Sequence, residues 1–303
     1  MSSLRIFARK KQSQIPLAMI ALSDAPAAQI ACDAGIDAIL VGDSLGNTAL
    51  GFDSTIPVTL DMMAHHLGAV VRGVKSSSRP AVPIVADMPF GSYATPEIGV
   101  QNAVRLIQLG AHAVKIEGTQ GAGNDFGRVF ELCQRAGIPV MGHIGFTPQS
   151  ELQFENVVQG KTARDAAQLL QQALTLQRAG CFALVLEAMT IQVARQITSQ
   201  LSISTVGIGA GKDCNGQVLV WHDLVGITAK PFKMARAFAS TREIWTSAIQ
   251  SYCAEIEAAQ FPTAQNGWEM SEEESQNWAQ NLAKKNEFEN SAEEIEKLDE
   301  QPF

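Results

Sequence analysis

The sequence predicts an α/β fold: a closed (β/α)8 barrel of the TIM type with an acidic C-terminal extension. Three observations carry that expectation. Eight short apolar runs recur along the chain, helical patterns lie between most of them, and 303 residues suit one large barrel. Continuous apolar strands are what a parallel sheet covered on both faces requires. Repeated strand–helix units imply right-handed crossovers. Pattern alone does not show closure, so a doubly wound open sheet is the alternative.

The runs are PLAMIAL (16–22), DAILVG (37–42), PIVAD (83–87), HAVKIE (112–117), IPVMG (138–142), FALVLE (182–187), STVGIG (204–209) and QVLVW (217–221). The first follows basic residues 9–11 and precedes SDAPA, which imitates a short secretory leader. Its place in the rhythm assigns it to a buried first strand. Thr95-Pro96-Glu97 starts a helix: a hydroxyl cap, a proline in the first turn and an acid at the positive end of the dipole. Gly110 ends it. Ala166, Leu169, Leu170, Ala173 and Leu174 recur at spacings of three and four, giving a helix over 163–179 before Gly180. The seventh and eighth runs are joined by AGKDCNG, too short for an ordinary crossover helix. A helix over about 232–256 follows the last strand.

Charge divides the chain. Lys plus Arg number 23 and Asp plus Glu 31, a net charge of −8. Thr263 to Phe303 hold 11 acidic and 3 basic residues, so the remainder carries 20 of each sign. The expected division is a barrel domain over 1–262 and an acidic tail over 263–303. The tail is either disordered or a loosely held helix using Trp278, Leu282, Ile295 and Leu298. A neutral body has no basic footprint for nucleic acid. The group Arg5, Arg9, Lys10 and Lys11 reads as a solvated N-terminus. The five cysteines include no CxxC pair, which argues against a disulfide framework or zinc site and for a reducing compartment. No apolar run reaches the length of a membrane span.

Polar residues gather where the runs stop. The second ends in Gly42-Asp43-Ser44, the third in Asp87, the fourth in Lys115-Ile116-Glu117, the fifth before His143 and the sixth in Glu187. In a barrel the C-terminal strand ends share one mouth, where active sites sit. Asp43 and Asp87 would repel unless a cation or proton lies between them. Oxygen ligands without a Cys/His cluster suit Mg2+ better than Zn2+, and Glu117 adds a third carboxylate, directly or through water. Lys115 and Glu117 are two apart and share one strand face. Lys115 can neutralise an anionic substrate or developing oxyanion, or form a structural ion pair. Glu187, against apolar walls, is a general-base candidate or a rim residue. His143 is a ligand contact or a satisfied core histidine. GIGAG (207–211) is a poor dinucleotide loop because no helix follows it; close backbone approach at the mouth explains it better.

VGDSLG (41–46), GFDSTIPVTLDMMAHH (51–66), VADMPFGSY (85–93), VKIEG (114–118), PVMGHIGFTPQS (139–150), LVLE (184–187), GIGAG and GQVLVWHD (216–223) resemble the ketopantoate hydroxymethyltransferase family. The resemblance runs in order from about residue 15 to 262. It implies a (β/α)8 barrel that binds Mg2+ and 2-oxoisovalerate. The enzyme would transfer a hydroxymethyl group from the co-substrate 5,10-methylenetetrahydrofolate, giving ketopantoate for pantothenate synthesis. It puts metal ligands on Asp43 and Asp87, with Glu117 close by. Substrate contacts fall on Ser44, Lys115 and His143 together with Asp43 and Asp87, and the catalytic base on Glu187. It further implies a cytoplasmic homo-oligomer, commonly a decamer of two rings of five. Three segments depart from the family pattern. Ala21-Leu22-Ser23-Asp24 stands for Thr-Ala-Tyr-Asp. ELQFENVVQGK, with Phe154-Glu155-Asn156, replaces an FGGY-like loop over the mouth, where folate contacts are expected. Gln265-Asn266-Gly267-Trp268 replaces a Glu-His-Ser-Phe-like ending. Two rivals stand beside this reading. One is a Mg2+-dependent keto-acid lyase or mutase of the phosphoenolpyruvate-mutase type, whose KKCGH-like loop does not occur here. The other is a non-catalytic keto-acid-binding barrel.

Overall fold

The computed structural model describes residues 3–118, 125–153, 155–229 and 233–299. The eight apolar runs become eight parallel strands: β1 Leu17–Ala21, β2 Ala38–Val41, β3 Ile84–Asp87, β4 Ala113–Glu117, β5 Val140–Gly145, β6 Ala183–Glu187, β7 Ser204–Ile208 and β8 Gly216–Val220. They pair in sequence order, and β8 returns to β1, so the sheet is closed. This excludes the open doubly wound alternative. The leader-like segment is barrel strand β1.

The helices are α1 Arg5–Gln12, α2 Ala25–Asp33, α3 Leu45–Thr48, α4 Leu60–Lys75, α5 Pro96–Gln108, α6 Asp125–Arg135, α7 Ala163–Arg178, α8 Ile191–Gln200, α9 Trp221–Leu224, α10 Thr241–Glu257 and α11 Glu272–Asp299. Among the described helices, α11 is capped by Ser271, which accepts from Glu274 N–H at 3.3 Å, and four barrel-side helices are capped in the same way. Asp24, Thr59, Thr95 and Thr162 each accept a hydrogen bond from the backbone N–H three residues on, at 2.8, 3.3, 3.4 and 3.1 Å. The expected start of the last barrel-side helix is corrected. Residue 232 lies outside the described residues, 233–240 are not helical, and the helix begins at Thr241. Ser240-Thr241-Arg242-Glu243 carries the S-x-x-E start signature that fits this boundary.

The connection between β7 and β8 contains no helix because it has little distance to cover. Gly216 pairs with Val206, two residues below the end of β7. Residues 209–215 therefore descend only ~7 Å before the next strand starts. In other βα units a helix makes the full return.

Side-chain parity builds two apolar layers. Leu17, Met19, Ala38, Leu40, Val85, Ala113, Met141, Ala183, Val185, Val206 and Val218 form one buried cluster with Phe7. The alternate residues, such as Ile20, Ile39, Ile84, Val114 and Leu184, pack with the surrounding helices in the other. Phe7 comes from α1, and its ring meets Phe182 edge-on at 5.2 Å. The α1 segment is not merely solvated: Lys11 Nζ donates to Leu201 O at 2.8 Å, Ile203 O at 2.7 Å and Asn215 Oδ1 at 3.2 Å. Arg5 and Arg9 do remain exposed. All five cysteines are free thiols, four of them buried.

Contacts divide the chain into Met1–Arg242, which holds the barrel, and Glu243–Phe303. The second unit contains most of α10, the turn Ala264–Asn266 and α11, and Tyr252 and Phe261 stack edge-on at 5.8 Å within it. No helix among the described residues is long and apolar enough to cross a membrane.

Gly73 in α4 lies against the start of α2, where an added Cβ would collide with Ala25 O. Backbone atoms cannot retreat as a side-chain tip can. We expect Gly73→Ala to cost about 1–3 kcal/mol, read as a lower denaturant midpoint; an unchanged midpoint would contradict this packing.

Candidate active site

On β3 to β6 the inward parity is apolar in the lower part of the strand and polar at its C-terminal end. On β3 the inward residues are Val85 then Asp87; on β4, Ala113, Lys115 and Glu117; on β5, Met141 and His143; on β6, Ala183, Val185 and Glu187. Strand register sets these residues level. Asp87 pairs with Lys115, and Glu117 with His143. Asp43 follows β2, and its backbone N–H donates to Asp87 Oδ2 at 3.0 Å. Asp43, Asp87, Lys115, Glu117 and His143 are all buried, while Glu187 is partly exposed.

Six of the seven candidate residues thus converge in one network. Lys115 Nζ lies 3.1 Å from Asp87 Oδ1 and 3.2 Å from Glu117 Oε1. His143 Nδ1 is 3.1 Å from Glu117 Oε1, and Nε2 is 3.3 Å from Glu187 Oε2. That last approach lacks hydrogen-bond geometry, so His143 Nε2 has no hydrogen-bond partner. Ser44, the seventh, starts α3 beside Asp43 and is half-buried. A Cβ on Gly42 would meet Ser44 Oγ at 3.1 Å and Asp87 Oδ2 at 3.5 Å, so Gly42 keeps room for both.

Burial and charge set the protonation. Burial, then the Glu117 and Asp87 carboxylates, push Asp43 well above the usual carboxylate range. Burial raises Asp87 as well, against the opposing pull of Lys115. Burial disfavours the Lys115 ammonium, but Asp87, Glu117 and Asp43 outweigh it and hold the lysine charged. Burial would also raise Glu117; Lys115 and His143 overcome it and bring the carboxyl down to about 2. For His143, burial and Lys115 act downward, and Glu117 lifts the imidazole to about 9. The imidazolium then turns Nδ1–H to Glu117, and the Lys115 ammonium, 3.2 Å from the same nitrogen, is a charge neighbour rather than a donor.

Sequence reasoning passed over two residues here. Gln149, on the turn Pro148–Gln153 after β5, donates Nε2–H to Asp43 Oδ2 at 2.7 Å and to Met88 O at 2.9 Å. Its backbone N–H donates to Glu117 Oε2 at 3.1 Å. Tyr93, from the loop after β3, donates its hydroxyl to Gln149 Oε1 at 2.5 Å. Both lie inside motifs that carry the family resemblance, VADMPFGSY and TPQS, which was the available signal.

The donor set fits a hard divalent cation. Asp43, Asp87 and Glu117 each offer a carboxylate oxygen within 4.8 Å of the others. With Gln149 on Asp43 Oδ2 and the Asp43 N–H on Asp87 Oδ2, no described residue hydrogen-bonds Asp43 Oδ1, and Asp87 Oδ1 faces the Lys115 ammonium in an ion pair. Both Glu117 oxygens already have protein partners. An Asp43 oxygen without a hydrogen bond, an Asp87 oxygen that faces the Lys115 ammonium at 3.1 Å, and an occupied third carboxylate suit a cation held directly by the aspartates and reached by Glu117 through water.

Residues 2–264 match the family model described as ketopantoate hydroxymethyltransferase. The chain belongs to that family. A 3-methyl-2-oxobutanoate hydroxymethyltransferase of Thermosipho africanus is 49% identical over 264 residues, covering 86% of this chain and 96% of the relative. The namesake of Thermotoga maritima is 45% identical over 263 residues, covering 86% and 94%. The family is therefore one of hydroxymethyl transferases, and the non-catalytic rival loses its ground. The solved structure of 2,3-dimethylmalate lyase, a PEP mutase/isocitrate lyase superfamily member, has a TM-score of 0.56 at 15% identity, covering 96% of this chain and 99% of that one. That likeness shows the barrel fold alone.

His143 makes stability depend on pH. Its folded pKa of about 9 exceeds the ordinary 6.5, so its contribution is complete below about pH 6.5 and is lost as pH rises through about 9. In chelator, the folding free energy of the wild type should fall across that window by on the order of 3 kcal/mol more than that of His143→Gln. Parallel denaturation profiles would show that the ring is already neutral.

Proposed function

We propose that the chain transfers a hydroxymethyl group from 5,10-methylenetetrahydrofolate to 2-oxoisovalerate, giving ketopantoate and tetrahydrofolate. The observation that carries this reading is the buried Asp43–Asp87–Glu117 triad, whose carboxylate oxygens lie within 4.8 Å of one another, with Glu187 beyond Lys115 and His143. Asp43 and Asp87 would hold Mg2+, with Glu117 acting through water. Bound Mg2+ would supply Lewis-acid stabilisation of negative charge on the keto oxygen.

The remaining work falls to the chain. Lys115 and Ser44 receive the carboxylate end of the keto acid and neutralise it within the barrel axis. Glu187 takes the C3 proton, standing at the partly open edge of the network where substrate can enter. His143 Nε2, 3.3 Å away, stands to orient the Glu187 carboxylate. The freed carbon attacks the methylene of the folate and water supplies the hydroxyl oxygen; both methylene C–N bonds break, and the C3 proton and one water proton end on the two folate nitrogens, so the pteridine carries the one-carbon chemistry. The reading extends to a cytoplasmic homo-oligomer serving pantothenate synthesis. Lyase or mutase chemistry of the phosphoenolpyruvate-mutase type is the alternative for the same barrel.

Two measurements test this. NMR should show Mg2+-dependent proton–deuterium exchange at C3 of 2-oxoisovalerate, then ketopantoate on adding the folate. Glu187→Gln should retain keto-acid binding while losing exchange by about a hundredfold or more. Undiminished exchange would remove Glu187 from the base role. Asp87→Asn should weaken Mg2+ binding by at least about tenfold in titration calorimetry; wild-type affinity would take Asp87 out of the metal site.

A further inference from the structure

We propose that Gln149, oriented by Tyr93, is a positioning residue that leaves one oxygen of Asp43 bare for a divalent cation and ties the loop after β5 to that site. The inference rests on the metal reading above and concerns residues to which that reading gives no role.

Hydrogen-bond accounting fixes the amide. Nε2 faces two acceptors, Asp43 Oδ2 and Met88 O, so it must be the nitrogen. Oε1 then accepts from the Tyr93 hydroxyl. Gln149 is buried, so a rotated amide would set a carbonyl oxygen against the Asp43 carboxylate with no water to relieve it. The amide is held in one orientation by three partners from two loops, Asp43 after β2 and Met88 and Tyr93 after β3.

The consequence lies on the carboxylates. The Gln149 side chain occupies Asp43 Oδ2 and its backbone N–H occupies Glu117 Oε2. One residue thereby restrains two of the three triad members. Asp43 sits just beyond β2, so strand pairing does not fix its side chain; the Gln149 amide does. Because Gln149 lies on the turn Pro148–Gln153, a shift of that loop withdraws both restraints together. Outer partners of this kind typically change metal affinity by about 10–100-fold when removed.

The test is Mn2+ binding to the full chain, followed by EPR, with Mn2+ as an oxygen-seeking stand-in for Mg2+. Gln149→Met keeps the length, removes the amide and retains the backbone bond. It should bind Mn2+ about tenfold or more weakly, with thermal unfolding in chelator close to wild type. Tyr93→Phe should weaken binding by a smaller factor. The double variant should bind no more weakly than Gln149→Met alone, because Tyr93 acts through Gln149; a merely structural role would give additive losses. Wild-type affinity in both single variants, or additive losses, would overturn the proposal. If Gln149→Met does not fold, Tyr93→Phe alone decides by the same readout. A wild type that binds no Mn2+ would instead overturn the metal reading and this inference with it.

Discussion

A closed barrel has a single interior, and side-chain parity decides everything that enters it. Residues i and i+2 of a strand share the axis, so an inward apolar residue and the next inward position must coexist in one narrow column. Here that column changes character in a single step on four neighbouring strands: Val85 to Asp87, Ala113 to Lys115, Met141 to His143, Val185 to Glu187. The apolar layers make the barrel stable, and they deprive the charged layer of water. Because water is excluded, the charges must answer one another, and the pairings of Lys115 and His143 with the carboxylates follow. A one-residue slip of any of these strands would drive its charged side chain into the apolar outer layer and break fold and site together.

That charged layer is a poor device for stability. Burying several ions costs more than their mutual attraction reliably returns, and an apolar layer of equal volume would be as good or better. Its retention makes sense as a prepared electrostatic environment in which an anionic substrate and a cation meet fixed partners. Four acids against two cations leave the site short of positive charge. This is the same imbalance that raises Asp43 and draws a proton onto His143.

The strands and the charged residues were legible because both are written in local composition. Apolar runs mark buried strands, and a charged residue at the end of such a run has few structural reasons to be there. Gln149 and Tyr93 escaped because they are uncharged residues in loops, where Gln and Tyr are ordinary. Their role depends on a meeting of three loops that no local pattern records. The start of α10 escaped because the apolar and basic residues before Thr241 continue a helical rhythm, while the decisive signal was Ser240 with Glu243. Lys11 looked solvated because it belongs to a short basic cluster, and such clusters usually are. Its acceptors, Leu201 O and Ile203 O, lie about 190 residues away. The short β7–β8 connection looked like a defect in the barrel until the stagger of β8 against β7 removed the need for a crossover helix.

The Lys11 anchor also sets a schedule for synthesis. The first strand hydrogen-bonds along its whole length to β8, and Lys11 docks on carbonyls beyond residue 200. On a ribosome adding about 5–20 residues per second, the opening segment waits ~10–40 s for the strands that complete it. During that interval β1 presents one bare edge, flanked by the basic end of α1. The charges of Arg9, Lys10 and Lys11 then protect a nascent strand edge from pairing with a neighbouring polypeptide. Lys11 docks on its carbonyl acceptors when the segments that carry them arrive.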